Sequence, residues 1–341
     1  MIMSTLDWNN IGFGYIKTNV NARAYFADGK WSELEYTDDE YIKMHISTTC
    51  LHYGLQCFEG LKAFRGEDGK VRLFRVDENA KRMQSSARKL CLPVPSEEMF
   101  IEACTEIVKR NIDFVPPYES GASLYLRPLL LGAQIDLGVK ASPEALFLVY
   151  CSPVGPYFKG GMAPIKVIID RVQDRAAPRG TGDIKAGGNY ASSILSGEKA
   201  HHMGYSNVMY LDAAEHKYIE ECGAANFFGI KDGTYVTPKS PSILPSITNK
   251  SLRQLAQDIG LKIEERPIAV DELASFSEAG ACGTAAVISP IGSIYDIDTE
   301  EKIVYGNGNE VGPVSLELYN RLRDIQYGRA EDVHGWTTVI E

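Results

Sequence analysis

Lys185 is the residue whose type and setting best suit covalent chemistry. It stands in Arg179-Gly-Thr-Gly-Asp-Ile-Lys-Ala-Gly-Gly-Asn-Tyr190, with Gly180, Gly182, Gly187 and Gly188 around it. Glycine permits positive φ and close backbone approach, which suits a tight crossing beside a ligand. A lysine desolvated on such a bend has a lowered pKa and becomes an amine nucleophile. Two other readings stay open locally. The lysine is a solvated loop residue, or the glycines cradle a nucleotide phosphate. The second lacks the Gly-Lys-Ser/Thr ending of a P-loop and the spacing of a dinucleotide fingerprint.

Three other stretches supply candidate partners. Ser246 and Thr248, in Ile243-Leu-Pro-Ser-Ile-Thr-Asn-Lys250, open a stretch whose Leu252, Leu255, Ala256 and Ile259 recur at helical spacing before Gly260. Thr248 is the expected N-cap, and such a helix start either binds a phosphate or is an ordinary cap. Glu221 lies close to Asn226 in Ile219-Glu-Glu-Cys-Gly-Ala-Ala-Asn226. Tyr125 and Arg127 share one strand face with Ser123 in Ser123-Leu-Tyr-Leu-Arg-Pro128, either as a polar edge or as the wall of an anion pocket. The small residues of Ala279-Gly-Ala-Cys-Gly-Thr-Ala-Ala286 let backbone and Thr284 approach a ligand, or pack as a tight core strand. A reactive amine, a phosphate-ready helix start and a carboxylate are together what pyridoxal phosphate requires. Its aldehyde condenses with the amine, its phosphate seeks a helix terminus or an arginine, and its ring nitrogen seeks an acid.

The elements that must position these groups follow from pattern. Strands are expected within 13–35 around an Asp28-Gly29 turn, and a short helix over 47–57. Leu61–Phe64 and Val71–Phe74 read as a hairpin across Asp68-Gly69. Asp77 is the expected N-cap of a helix carrying Ala80, Met83, Ala87 and Leu90, from which Arg82 and Arg88 project. A second helix covers about 97–111, followed by apolar strands 122–131 and 145–151. Residues 152–164 carry three prolines and three glycines and mark the expected domain boundary, where Tyr157 could line a cleft. The second half then offers strand 165–172 and a helix 190–203 capped by Asn189. Strands at 208–211 and 217–221 follow, then a hairpin through Asp232-Gly233, the helix after Thr248, and a helix over 313–326.

Composition limits the function classes. At 341 residues the chain is long enough for two domains. The 35 basic and 45 acidic residues leave a net charge of −10, which argues against nucleic acid and requires local arginines for an anionic substrate. The seven cysteines include no Cys-x-x-Cys pair, which fits reduced thiols and disfavours a thiol redox protein. The six histidines show no metal-ligand spacing. The start Met1-Ile-Met-Ser-Thr-Leu-Asp7 lacks a signal core, and no apolar run approaches a membrane span, so a cytoplasmic protein is expected.

Several blocks in order resemble the branched-chain amino-acid aminotransferases, which are fold-type-IV pyridoxal phosphate enzymes. They are Phe58-Glu-Gly-Leu-Lys-Ala-Phe-Arg-Gly66, Ser123-Leu-Tyr-Leu-Arg-Pro128, Ser152-Pro-Val-Gly-Pro-Tyr-Phe158, Gly180-Thr-Gly-Asp-Ile-Lys-Ala-Gly-Gly-Asn-Tyr190 and Asp324-Ile-Gln-Tyr-Gly-Arg329. The likeness runs from about residue 45 to the C-terminus. It implies an α+β chain of two mixed α/β domains, with pyridoxal 5'-phosphate in the cleft between them. The divisions are a small domain 1–151, an interdomain loop 152–164 and a large cofactor-binding domain 165–341. It further implies amino transfer from L-leucine, L-isoleucine or L-valine to 2-oxoglutarate, and a homodimer with sites completed across the interface.

Residue roles follow from the same resemblance. Lys185 is the implied Schiff-base lysine and the base that moves the Cα proton. Glu221 holds the pyridine nitrogen, with Asn226 beside it in the cofactor site, and Tyr190 bonds the ring hydroxyl. Arg82, the Ile247 and Thr248 amides, and Thr284 bind the phosphate. Phe58, Tyr125, Tyr157 and Ala285 line the apolar side-chain pocket, with Tyr53 at its rim from the partner. Arg127 assists the substrate carboxylate or the γ-carboxylate of glutamate, and Arg175 is a second arginine of the substrate site. Two departures stand out. Ala224 replaces the threonine of some members, and Ala286 and Ser289 stand where mammalian members carry a redox Cys-x-x-Cys, so no thiol switch is expected. The rival readings are D-amino-acid aminotransferase, aminodeoxychorismate lyase and a non-catalytic cofactor-binding regulator.

Overall fold

The computed structural model describes residues 6–8, 10–158 and 160–340. Residues 1–5, on which much of the reading of the N-terminus rests, and Lys159 of the expected boundary loop lie outside the described residues. The chain forms two compact units. The first comprises the chain up to Pro156, Lys185–Gly187 and the stretch from Asp324 onward; the second comprises Tyr157–Ile184 and Gly188–Arg323. The first change of unit lies between Pro156 and Tyr157. Sequence pattern does not reveal that the C-terminal stretch returns to the first unit, because this depends on the strand Thr337–Ile340 pairing with Val71–Phe74.

The first unit is built on an antiparallel sheet, nine-stranded among the described residues. Its main order is Thr337–Ile340, Val71–Phe74, Leu61–Arg65, Ser123–Gly132, Ala145–Val154, Asn21–Ala27 and Lys30–Trp31. Asp28 and Gly29 both have positive φ, 53° and 76°, as the tight turn between Asn21–Ala27 and Lys30–Trp31 demands. The helices Val76–Lys89 and Glu97–Arg110 cover one face. Their Ala80, Met83, Ala87, Phe100, Cys104, Ile107 and Val108 bury against Leu124, Leu126, Phe147, Val149 and Cys151. Strand alternation therefore sends Tyr125, Arg127, Tyr150 and Ser152 to the opposite face, where Tyr125 lies across from Ser152 and Arg127 across from Tyr150.

Several local expectations shift. The helix carrying Arg82 begins at Val76, one residue before Asp77, and follows Arg75 in the left-handed region (φ 51°). Asp77 therefore sits in the first turn, where its charge suits the helix dipole. Only Thr49–His52 of the expected 47–57 helix is helical, because Gln56–Phe58 joins the sheet beside Ser123–Gly132.

In the second unit the sheet is mixed and also nine-stranded among the described residues. Ile219–Cys222, Asn207–Leu211, Ile165–Ile169, Val287–Asp296, Glu278–Gly283 and Ala225–Lys231 form a ring, closed where Ile219–Cys222 meets Ala225–Lys231. Val167, Met209, Leu211, Phe227, Ala281 and Ile294 are buried in its core. The small residues of 279–286 are explained in part by packing. A Cβ at Gly280 would stand 2.6 Å from the Phe228 ring, which stacks on Tyr235 at 4.9 Å.

The expected helix 190–203 is two helices, Gly187–Ala191 and Ile194–His202. Asn189 does not cap it. Its side-chain amide donates to the carbonyls of Thr181 and Ile184, fastening the glycine-rich bend. The helix Ile247–Asp258 is capped by Ser246, whose Oγ accepts the Asn249 N–H at 3.2 Å, and not by Thr248, which falls within the first turn. The helix already begins at Ile247, so Ser246 is the flanking residue whose side chain can reach a first-turn amide.

Candidate active site

In the first unit the aromatic ring of Phe58 is a shelf for two cations. Lys185 Nζ lies 4.8 Å from its centroid and the Arg127 guanidinium carbon 4.7 Å. Such face-on placement is attractive through the ring quadrupole. The backbone fixes the register. Phe58 N–H donates to the Lys185 carbonyl (3.0 Å), Cys57 bridges Ala186, and Lys185 N–H donates to the buried Ser86 Oγ (3.1 Å). The lysine is half-buried on a bonded backbone, which disposes of the solvated-loop reading.

Arg127 donates to the Tyr125 hydroxyl at 3.0 Å, and the Tyr125 ring meets Phe13 edge-on at 5.3 Å. These residues, with Arg23, Ile42, Leu148 and Tyr150, line an open concavity of about 470 Å3. Gly60 is required beside it, because a Cβ there would collide with the Tyr125 hydroxyl. The polar face of Ser123–Gly132 is thus a pocket wall and not a sheet edge. Arg82 is half-buried and forks onto Glu59, while Arg88 is exposed and bonds Gln84. Tyr53 is exposed, its hydroxyl donating to the Leu137 carbonyl.

The second unit holds the acid. Glu221 is buried on Ile219–Cys222, and its Oε1 accepts from the Leu244 N–H (2.9 Å) and Asn226 Nδ2 (3.3 Å). Asn226 also donates to the Leu244 carbonyl and accepts from Asn249 Nδ2 at 3.1 Å. Asn249 in turn donates to Thr237 Oγ1 and accepts from the Tyr235 hydroxyl. Because Asn249 lies in the first turn of Ile247–Asp258, this buried chain ties the acid to the helix start. The first-turn amides of Ile247 and Thr248 have no intrahelical acceptors, and both residues are buried. Tyr190, Glu221, Ala224 and Arg175 line one concavity.

Arg175 is buried among carboxylates. Its Nε lies 3.6 Å from Glu221 Oε2, its Nη2 3.9 Å from Glu220 Oε2, and Nη2 also donates to the Ser242 carbonyl. Burial pushes the Glu220 carboxyl up, with Ser240 and Arg175 opposing. Thr284 and Ala285 occupy the half-buried turn between Glu278–Gly283 and Val287–Asp296. Tyr157 is exposed and packs edge-on against Phe158 at 4.9 Å. Within the first unit the structure groups Lys185, Phe58, Tyr125 and Arg127; within the second it groups Glu221, Asn226, Tyr190 and Arg175. Glu59, Ser86 and Asn249 were not singled out from sequence, since each acts through a partner distant in the chain.

The amino-transferase class IV family model matches residues 56–294. A branched-chain-amino-acid aminotransferase of Haemophilus influenzae is 50% identical, over 99% of this chain and 100% of its own length. The chain belongs to this family. A branched-chain-amino-acid aminotransferase of Helicobacter pylori is 48% identical, over 98% of each chain. The crystal structure of a T.th. branched-chain amino acid aminotransferase with pyridoxamine 5'-phosphate is 28% identical, with TM-score 0.81 over 96% of this chain and 100% of that one. The fold is accordingly that of a class IV aminotransferase, α+β with two sheets. Among the described residues of this aminotransferase, no helix is long and apolar enough to cross a membrane.

Proposed function

We propose that this aminotransferase moves the amino group of L-leucine, L-isoleucine or L-valine to 2-oxoglutarate with pyridoxal 5'-phosphate. The observation that carries the reading is Lys185 Nζ over the Phe58 ring, in the unit that presents Tyr125 and Arg127. The donor set fits the cofactor: a half-buried amine, a buried carboxylate wired to a helix start, and a buried helix N-terminus. When bound, pyridoxal phosphate supplies an aldehyde that takes up the amino group and a ring that accepts the electron pair left at Cα.

The protein's residues do the rest. Lys185 Nζ anchors the cofactor, then takes the substrate Cα proton once displaced. Glu221 keeps the ring nitrogen protonated, held by Leu244 and Asn226, and Tyr190 bonds the ring hydroxyl. Arg82, the amides of Ile247 and Thr248, and Thr284 hold the phosphate. Phe58, Tyr125, Tyr157 and Ala285 form the apolar side-chain site. Arg127 meets the carboxylate of glutamate or 2-oxoglutarate, so one site accepts both aliphatic and acidic side chains.

A homodimer is part of this reading, with Tyr53 reaching the neighbouring site. It is supported by Ile46, Leu51, Leu137 and Val139, which are 88%, 60%, 78% and 85% exposed on two segments joined by Asp136 N–H to Ser47 O. The free cysteines fit a reducing cytoplasm.

The test is a spectrum of the purified protein with borohydride treatment and peptide mapping. A yellow band that bleaches, with the reduced tag on Lys185, is expected. A colourless protein that pyridoxal phosphate cannot reconstitute ends the reading. L-Leucine against D-alanine, each with 2-oxoglutarate, separates the D-amino-acid alternative.

A further inference from the structure

Glu59 is fully buried, and sequence pattern assigns it no role, yet it receives four donors. Oε1 accepts from Arg82 Nε at 2.8 Å; Oε2 accepts from Arg82 Nη2 at 2.7 Å, Asn79 Nδ2 at 2.7 Å and the Gly60 N–H at 3.3 Å. Burying a carboxylate is costly, and a buried ion pair offers little net stability over an apolar pair of the same shape. A two-point fork does fix the plane and position of a guanidinium, which a single bond or a diffuse charge does not. The neighbours of Glu59 act similarly on their own partners. Phe58 carries Lys185 and Arg127, and Gly60 leaves room for the Tyr125 hydroxyl. Three consecutive residues thus set three parts of the site.

We propose that Glu59 is a positioning residue that presents Arg82 to the cofactor phosphate, resting on the phosphate role given to Arg82 above. Two effects of the carboxylate compete. Its negative charge opposes a phosphate, while its fork removes the conformational freedom of the arginine. The proposal requires the fork to outweigh the repulsion. Glu59→Gln removes the charge and breaks one arm, because an amide NH2 faces an arginine N–H. Glu59→Asp keeps the charge but withdraws it by one methylene.

The experiment measures binding of pyridoxal 5'-phosphate and of pyridoxal, which lacks the phosphate, to cofactor-stripped wild type, E59Q and E59D. Both variants are expected to bind pyridoxal phosphate about tenfold or more weakly while holding pyridoxal as the wild type does. Unchanged or tighter pyridoxal phosphate binding by E59Q overturns the proposal, as does a parallel loss for both ligands, which marks a merely structural role. If neither variant folds, R82K with Glu59 intact decides. It keeps the charge but loses the planar fork, so weakened discrimination between the ligands is expected and wild-type discrimination overturns the proposal. A wild type that binds neither ligand defeats the cofactor reading itself, a result distinct from all of these.

Discussion

At the scale of single residues, Glu221 and Arg175 separate two roles that similar burial conceals. Replacing Glu221 by Gln preserves an acceptor for the Leu244 amide but removes the charge proposed to hold a protonated ring nitrogen. Turnover is expected to fall on the order of 10²-fold or more, with the fold intact by circular dichroism; near-normal kcat would remove Glu221 from its role. Arg175 was expected at the substrate. Its surroundings, Glu220, Glu221 and the Ser242 carbonyl, suit an arginine that holds the acid in place. Arg175→Met leaves two buried carboxylates without their cation, a change of the kind that costs about 3–5 kcal/mol. A clear drop in thermal stability is expected, and a variant of unchanged stability whose only defect is a raised KM for the amino acid would restore the substrate role. Lys185→Ala should keep the fold and lose transamination, which an assay beside a melting curve checks.

At the scale of elements, two positions test how helix and strand hold the site. Ser246, not Thr248, caps Ile247–Asp258, so Ser246→Ala should cost about 1 kcal/mol. Thr248→Ala should cost less, and the reverse order in denaturant unfolding would return the cap to Thr248. Gly280 packs its bare Cα face against Phe228, and Gly280→Ala should cost about 1–3 kcal/mol through overpacking. Much at this scale was legible in sequence. The Asp28-Gly29 and Asp232-Gly233 turns, the alternation that turns Tyr125 and Arg127 away from Leu124 and Leu126, and the apolar stripes of the helices are local patterns. The break between Gly187–Ala191 and Ile194–His202 was not legible, because Asn189 spends its side chain on Thr181 and Ile184.

At the scale of the whole molecule, the buried thiols set a limit at high pH. Burial holds Cys57, Cys151, Cys222 and Cys282 up at about 12, well above the roughly 8.5 of a free thiol. The folded state therefore retains protons that the unfolded chain gives up. This contribution to stability is complete below the unfolded pKa of about 8.5 and declines as pH rises towards 12. Melting temperature should fall from about pH 9 upward, and replacing one of these cysteines by alanine should flatten that fall; a cysteine-independent slope would contradict it. The proposed dimer has its own check. Leu137→Asp with Val139→Asp should shift the protein to monomer in sedimentation, and an unchanged species would place the interface elsewhere.

The sequence by itself determined the chemical parts: a lysine among glycines, an acid, a polar strand face and a helix start. These depend on residue type and on periods of a few residues, which neighbours along the chain suffice to fix. Tertiary structure decided which parts act together. It set Lys185 on the ring of Phe58 and forked Glu59 onto Arg82. It also wired Glu221 through Asn226 to Asn249 and returned the C-terminal strand to the first unit. Those pairings join residues far apart in sequence, and only the packing of sheets and helices brings them within a hydrogen bond.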